Sequence, residues 1–217
     1  MITSRMFPAV AKGNDAASDQ NEETSAIFLI DFDGTIADGQ THNAIALAIN
    51  QKHITDEKES HWQFLRNAIC GGRHHPIGSA EEWCKVFTTL LNDGHKVGIV
   101  SFSSFPHMIE KYIREVVGLP EDIARQVYVY AHLPFNPGHA NKNHHIETAK
   151  NHFRYTGDMK RVVLIDDSFR NIVGANTLGC TTVMVDERNS HLNKILELSA
   201  AFKKPKQETV NSMPTLR

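Results

Sequence analysis

The stretch Ala26-Ile27-Phe28-Leu29-Ile30-Asp31-Phe32-Asp33-Gly34-Thr35 decides the fold class. Its first five residues form a short apolar run, the pattern of a strand buried on both faces of a parallel sheet. Its last five put two carboxylates two residues apart at the C-terminal end of that strand, where open α/β sheets place their active sites. Asp33 can point the same way as Asp31, or offer its backbone carbonyl while its side chain turns elsewhere. Alone, Asp-x-Asp-Gly-Thr could also be an acidic turn closing a strand.

Outward from that stretch, apolar runs alternate with amphipathic ones, as in a doubly wound, mainly parallel α/β sheet flanked by helices. Further strands are expected at Val97–Val100, Val127–Tyr130, Val162–Ile165 and Thr182–Val185. Ser79-Ala80-Glu81-Glu82 has capping-box form and opens a helix through Trp83, Val86, Phe87, Leu90 and Leu91, stopped at Gly94. Other helices are expected around Met108–Val116, Asn141–Phe153 and Ser168–Leu178, with Ser190 capping a last one. The segment 38–78 fits the alternation poorly and reads as a small helical insert or flap, with short helices at Ala44–Gln51 and Glu57–Ile69. Trp62 and Trp83 read as core anchors.

The 217 residues, 41% hydrophobic and 22% charged, allow one globular domain, set here at 25–202. Residues 1–24 read as a disordered leader and 203–217 as a disordered tail. The net charge of −2 supplies no field for nucleic acid or an anionic membrane. No run is long enough to span a membrane, and no signal peptide stands at the start. Cys70, Cys84 and Cys180 lack disulfide or zinc spacing and read as buried small hydrophobes in a reducing cytosol. A cytoplasmic location is expected, with room left for export through an uncleaved terminal signal.

The chemistry comes from a second acidic pair, Asp166-Asp167, after the apolar run Val162-Val163-Leu164-Ile165. Four carboxylates at two strand ends repel one another unless a cation joins them, and hard oxygen ligands in small number suit Mg²⁺. A third strand ends in Ser101-Phe102-Ser103, where a hydroxyl and backbone N–H groups could hold an anion. Lys142 offers a cation to that anion, with Lys150 its rival on the same helix. Together these pieces compose a phosphoryl-transfer site. The adjacent pairs His74-His75 and His144-His145 lack metal-ligand spacing. Arg73, His74 and His75 lie in the insert and are candidates for a substrate entrance.

In this order, the pieces resemble the haloacid dehalogenase (HAD) superfamily: Asp31 to Thr35 as its first motif, Ser101 as the second, Lys142 as the third and Asp166-Asp167 as the fourth. The second half, with Lys142 to Ile146 and Arg170-Asn171-Ile172-Val173, resembles the small capless magnesium-dependent phosphatases. The resemblance implies that Asp31 attacks phosphorus to form an aspartyl-phosphate. It implies that Asp33 serves as acid, then base. Mg²⁺ would be held by the Asp31 carboxylate, the Asp33 carbonyl and Asp167. Asp166 would position Lys142 or a metal-bound water, Asn171 would support the metal shell, and Ser101, Phe102 and Lys142 would bind phosphate.

About 65 residues separate Thr35 from Ser101 and about 40 separate Ser101 from Lys142, which leaves no space for a large cap. An open site suits a phosphorylated protein or peptide, phosphotyrosine foremost. A small phosphorylated metabolite, such as a sugar phosphate or nucleotide, is the alternative. A non-catalytic phosphate-binding scaffold on the same fold is the reading from another class.

Overall fold

The computed structural model describes residues 25–134, 140–186 and 188–203. The expected leader, and the tail beyond residue 203, lie outside the described residues. Five parallel strands form one sheet: β1 (Ile27–Ile30), β2 (Lys96–Ser101), β3 (Tyr128–Ala131), β4 (Val162–Asp166) and β5 (Thr181–Met184). Their spatial order is β3-β2-β1-β4-β5. The chain winds outward from β1 through β2 to β3, then crosses to β4 and β5. The crevice between β1 and β4 is therefore the topological switch point, where such sheets bind ligands. In-register pairing of Ile30 with Ile165 sets Asp31 beside Asp166. The Asp31 N–H donates to the Ile165 carbonyl at 2.9 Å.

Both faces of the sheet are covered, which explains the unbroken apolar strands. Along β1, Phe28 and Ile30 enter a core shared with Trp83, Phe87, Tyr112 and Ile195. Ile27 and Leu29 enter a second cluster with Ile146, Ala149 and Ala175. Successive side chains thus bury on opposite faces, as a strand's period of two requires.

The helices are α1 (Thr41–Asn50), α2 (Lys58–Cys70), α3 (Ala80–Asn92), α4 (Pro106–Glu115), α5 (Glu121–Ala124), α6 (Asn143–His152), α7 (Phe169–Thr177) and α8 (Ser190–Phe202). Ser79 caps α3, its Oγ accepting the Glu82 N–H at 3.1 Å. Pro106 starts α4, where its missing N–H costs nothing. Ser190 does not cap α8: Asn189, in the left-handed conformation, takes that position, and Ser190 hydrogen-bonds Asp186 instead. The short α5 was not expected from the sequence. Cys180 is buried, but Cys84 is half-buried, and Cys70, the last residue of α2, is exposed.

Ile45 of α1 and Trp62 and Leu65 of α2 belong to the main core cluster. These two helices pack onto the body of the domain, and no separate cap is identified among the described residues. Nor is any described helix long and apolar enough to cross a membrane.

Candidate active site

Each strand of the central trio ends in a polar residue pointed at the same crevice. A cleft of about 530 Å³ opens there, lined by Asp31, Asp33, Ser101, Phe102, Lys142 and Asp167, among others. Asn171 also lines it. Lys142 stands just ahead of α6 and is 1% exposed, so its charge must be met inside the protein. Its Nζ donates to Asp31 Oδ1 and to the Val100 carbonyl, both at 2.5 Å. It lies 3.7 Å from Asp166 Oδ2 and 4.9 Å from the centre of the Phe102 ring. Lys150, the rival lysine, is spent on Glu147 at 3.3 Å.

Asp166 is fully buried. Its Oδ1 accepts the Ser168 N–H and the Asn171 amide, each at 2.8 Å. Asn171 therefore orients Asp166. Asp166 Oδ2 has no hydrogen-bond partner. Asp31, Asp166 and Asp167 each place a carboxylate oxygen within 4.8 Å of the others.

Burial pushes the Asp31 carboxyl up to about 8, with Lys142 opposing the rise and Asp166 adding to it. Burial likewise raises Asp166, against the pull of Lys142. Burial raises Asp167 too, and Asp166 adds to it. One ammonium faces three carboxyls, and a buried carboxylate oxygen is left without a hydrogen bond. That donor set is hard, anionic and short of positive charge, and it fits a divalent cation with oxygen preference.

The Asp33 side chain turns to the start of α1. Its Oδ1 accepts the Thr41 N–H at 2.9 Å and the Thr41 hydroxyl at 2.6 Å. Its Oδ2 accepts the His42 N–H at 3.2 Å. Gln40, at the cap position of α1, makes no side-chain capping bond, so Asp33 satisfies the helix's free N–H groups and meets its positive end. The Asp33 carboxylate still lines the cleft but stands outside the acidic trio.

Gly34 makes room for Asp167. Its φ is +83°, and a Cβ there would lie 2.3 Å from Asp167 Oδ2. The glycine thus serves both the turn and the close approach of the carboxylate.

Arg73, His74 and His75 do not line the cleft. His74, at φ 56°, bonds the Asp38 carbonyl through Nδ1, and its own carbonyl accepts the Tyr112 hydroxyl at 2.7 Å. The loop is fixed down against α4, so the three residues expected at a substrate entrance lie outside the lining of this cleft. Lining residues missed from sequence are Gln40, His42 and Asn43 around the start of α1, and Leu133 after β3. His42 Nδ1 accepts the Ser104 N–H at 3.3 Å, so a neutral ring carries its proton on Nε2. Nothing in the segment's pattern marks His42, though the Asp33–Thr41 spacing allowed a capped helix start beside the motif.

No protein-family model matches this sequence, and no curated protein is detectably similar to it. Solved structures are. Two crystal structures of Ceg4, an effector of Legionella pneumophila, share the fold. One, carrying an N-terminal yeast Hog1p sequence, is 12% identical, covers 89% of this chain and 100% of its own, and gives a TM-score of 0.53. The other, carrying an N-terminal TEV protease cleavage sequence, is 14% identical, covers 89% and 99%, and gives 0.52. A haloacid dehalogenase-like family hydrolase of Streptococcus pneumoniae, SP0104, aligns at 15% identity over 82% of this chain and 99% of its own, with a TM-score of 0.49.

Proposed function

We propose that this chain is a phosphatase of the HAD superfamily that hydrolyses phosphate monoesters through an aspartyl-phosphate on Asp31. One observation carries the reading. The carboxylate at the end of the central strand is paired with a buried lysine and faces two further carboxylates across the switch point.

Asp31, Asp166 and Asp167 are the carboxylates that would hold Mg²⁺, with the Asp33 carbonyl as a further donor. The ion supplies charge neutralisation on the transferring phosphoryl oxygens. Lys142 and Ser101 hold the phosphoryl group over Asp31, and the Phe102 ring stands beside the ammonium at 4.9 Å. An Asp31 oxygen attacks phosphorus, the bond to the leaving oxygen breaks, and Asp33 gives that oxygen a proton. Asp33 then takes a proton from water, the water oxygen attacks phosphorus, and the bond to Asp31 breaks to release inorganic phosphate. Splitting one slow displacement into two faster ones is the gain of covalent catalysis. Phosphoryl transfer is served chiefly by alignment and charge, and this cleft supplies both.

A phosphorylated polypeptide, with phosphotyrosine foremost, is the favoured substrate, because α1 and α2 pack against the body of the domain and no separate cap stands over the cleft among the described residues. The test is turnover of an aryl phosphate by wild type and Asp31→Asn, with Mg²⁺ and with a chelator. The reading requires activity in wild type with Mg²⁺ alone. Equal rates in all four arms, or no rate in any, would refute it.

A further inference from the structure

A second cavity, about 780 Å³, adjoins the cleft. His42 and Leu133 line both, so the two meet at a common wall. We infer that this second cavity receives the residue flanking the phosphorylated residue of a polypeptide substrate, and that it favours apolar or basic flanks over acidic ones. The inference rests on the phosphatase reading and narrows its substrate.

The argument begins with α1. Its N-terminus holds the Asp33 carboxylate, and about one and two turns later its Ala46 and Ile49 form a wall of the second cavity. The candidate acid/base and the flank wall thus sit on one rigid element, which fixes the distance between them. Phe105 and Pro106, at the start of α4, face them from the other side. His42 rests on the Phe105 ring at 5.2 Å, which sets the boundary between the two chambers.

The polar part of the cavity has two carboxylates among its lining side chains. Asp56 and Glu110 line it against a single Lys58. Burial holds the His107 ring down toward its neutral form. His61 is buried between partners, its Nδ1 3.3 Å from His107 Nε2 and its Nε2 3.2 Å from Asp56. A glutamate or aspartate side chain entering here would meet like charge over an apolar floor. A leucine would bury apolar surface, and a lysine would meet Asp56 or Glu110.

A polypeptide fits this arrangement because, on the phosphatase reading, the first chamber would take the phosphorylated side chain with its metal. A neighbouring chamber of larger volume is then left for what comes next along the chain.

The test uses wild-type protein with Mg²⁺ and a series of phosphotyrosine peptides that differ only immediately before or after the phosphotyrosine, as Leu, Lys, Ala or Glu. An aryl phosphate without a peptide reports the phosphatase reading by itself. The expected result is a kcat/KM about tenfold or more higher for Leu than for Glu at one of the two positions, the discrimination one apolar pocket supplies. Lys should equal or exceed Ala. Ala46→Trp, which fills the chamber, should bring the Leu-to-Glu ratio to near one. Ile49→Ala, a smaller change, should lower that ratio several-fold should the tryptophan variant misfold. Ratios under about twofold at both positions, with the aryl phosphate still hydrolysed, overturn the flank site and leave the phosphatase reading standing. A small alkyl phosphate preferred over every peptide assigns the chamber to a small molecule's leaving group and overturns the polypeptide claim. No turnover of any compound overturns both readings.

Discussion

Lys142 and Asp31 form a buried ion pair, with Nζ 2.5 Å from Oδ1 and the lysine 1% exposed. Lys142 is the only described cation within ion-pair reach of Asp31 and Asp166. Removing one member of a buried pair strands the other and costs about 3–5 kcal/mol. Lys142→Met should therefore unfold at markedly lower denaturant above about pH 8, where the Asp31 carboxyl is ionised. Asp31→Asn in the same chain should restore part of the loss, and a double-mutant cycle by urea titration reads the coupling. Additive losses would show that the two charges do not depend on each other.

The acidic trio predicts a metal response that needs no turnover to detect. At a hundredfold excess over Kd, a cation bound only to the folded state adds about 2.7 kcal/mol. For a domain of this size that is a rise in Tm of about 5–10 °C. Mg²⁺ should produce such a rise in wild type and little in Asp167→Asn. Asp167→Asn without metal should be no less stable than wild type, since one repelling carboxyl is gone. An unchanged Tm with Mg²⁺ in wild type would count against the site.

Asp33 is aimed by Thr41. Thr41→Val deletes the 2.6 Å hydroxyl bond and keeps the backbone donor. It should lower kcat several-fold with KM little changed, because the acid/base is misaligned while phosphate binding is untouched. Asp33→Asn should cost about 10²–10⁴ in kcat, the usual contribution of a general acid–base. The kcat-against-KM split on an aryl phosphate separates this from a purely structural capping role, which would shift Tm alone.

His145 makes the fold acid-sensitive. Its Nε2 lies 3.2 Å from the Ser101 carbonyl and 3.1 Å from the His132 carbonyl, so it carries the proton; its Nδ1 is buried without a partner. Burial, with Lys142 adding to it, pushes the ring down to about 4 from 6.5. The unfolded chain then binds the extra proton first, so stability is lost as pH falls from about 6.5 toward 4. The loss is on the order of 2 kcal/mol at pH 5. Asp31, raised in the fold, works in the opposite sense, its cost relieved on acidification. Comparing variants removes that shared part: His145→Gln should lose less stability than wild type between pH 7 and pH 5. An equal loss would contradict the assignment.

The sheet was legible because both of its faces are buried: four of the five strands had to be unbroken apolar runs, and each of the five lies within a residue of its expected place. The half-exposed edge strands β3 and β5 each slipped by one residue, since a weaker apolar pattern fixes their ends less firmly. Asp31, Ser101, Lys142 and Asp166-Asp167 could be grouped because each follows a strand or opens a helix in the order that a doubly wound sheet brings to one edge. The direction of the Asp33 side chain was not legible, because it depends on where α1 begins, and no capping residue in the helix's own sequence marks that point. His42, in the first turn of α1 just ahead of the expected helix start at Ala44, and Leu133, in the stretch after β3, were missed because only the tertiary path brings them together. That the loop of Arg73, His74 and His75 lies outside the cleft lining was not legible, because its anchor, the Tyr112 hydroxyl, is 38 residues away from His74 in the chain.

The central claim is the covalent role of Asp31, and trapping tests it most directly. Wild-type protein with Mg²⁺ and a ³²P-labelled aryl phosphate, quenched in acid, should carry label on Asp31, released by hydroxylamine as an acyl phosphate is. Asp31→Asn should carry none. Label on another residue, or full turnover by Asp31→Asn, would contradict the account.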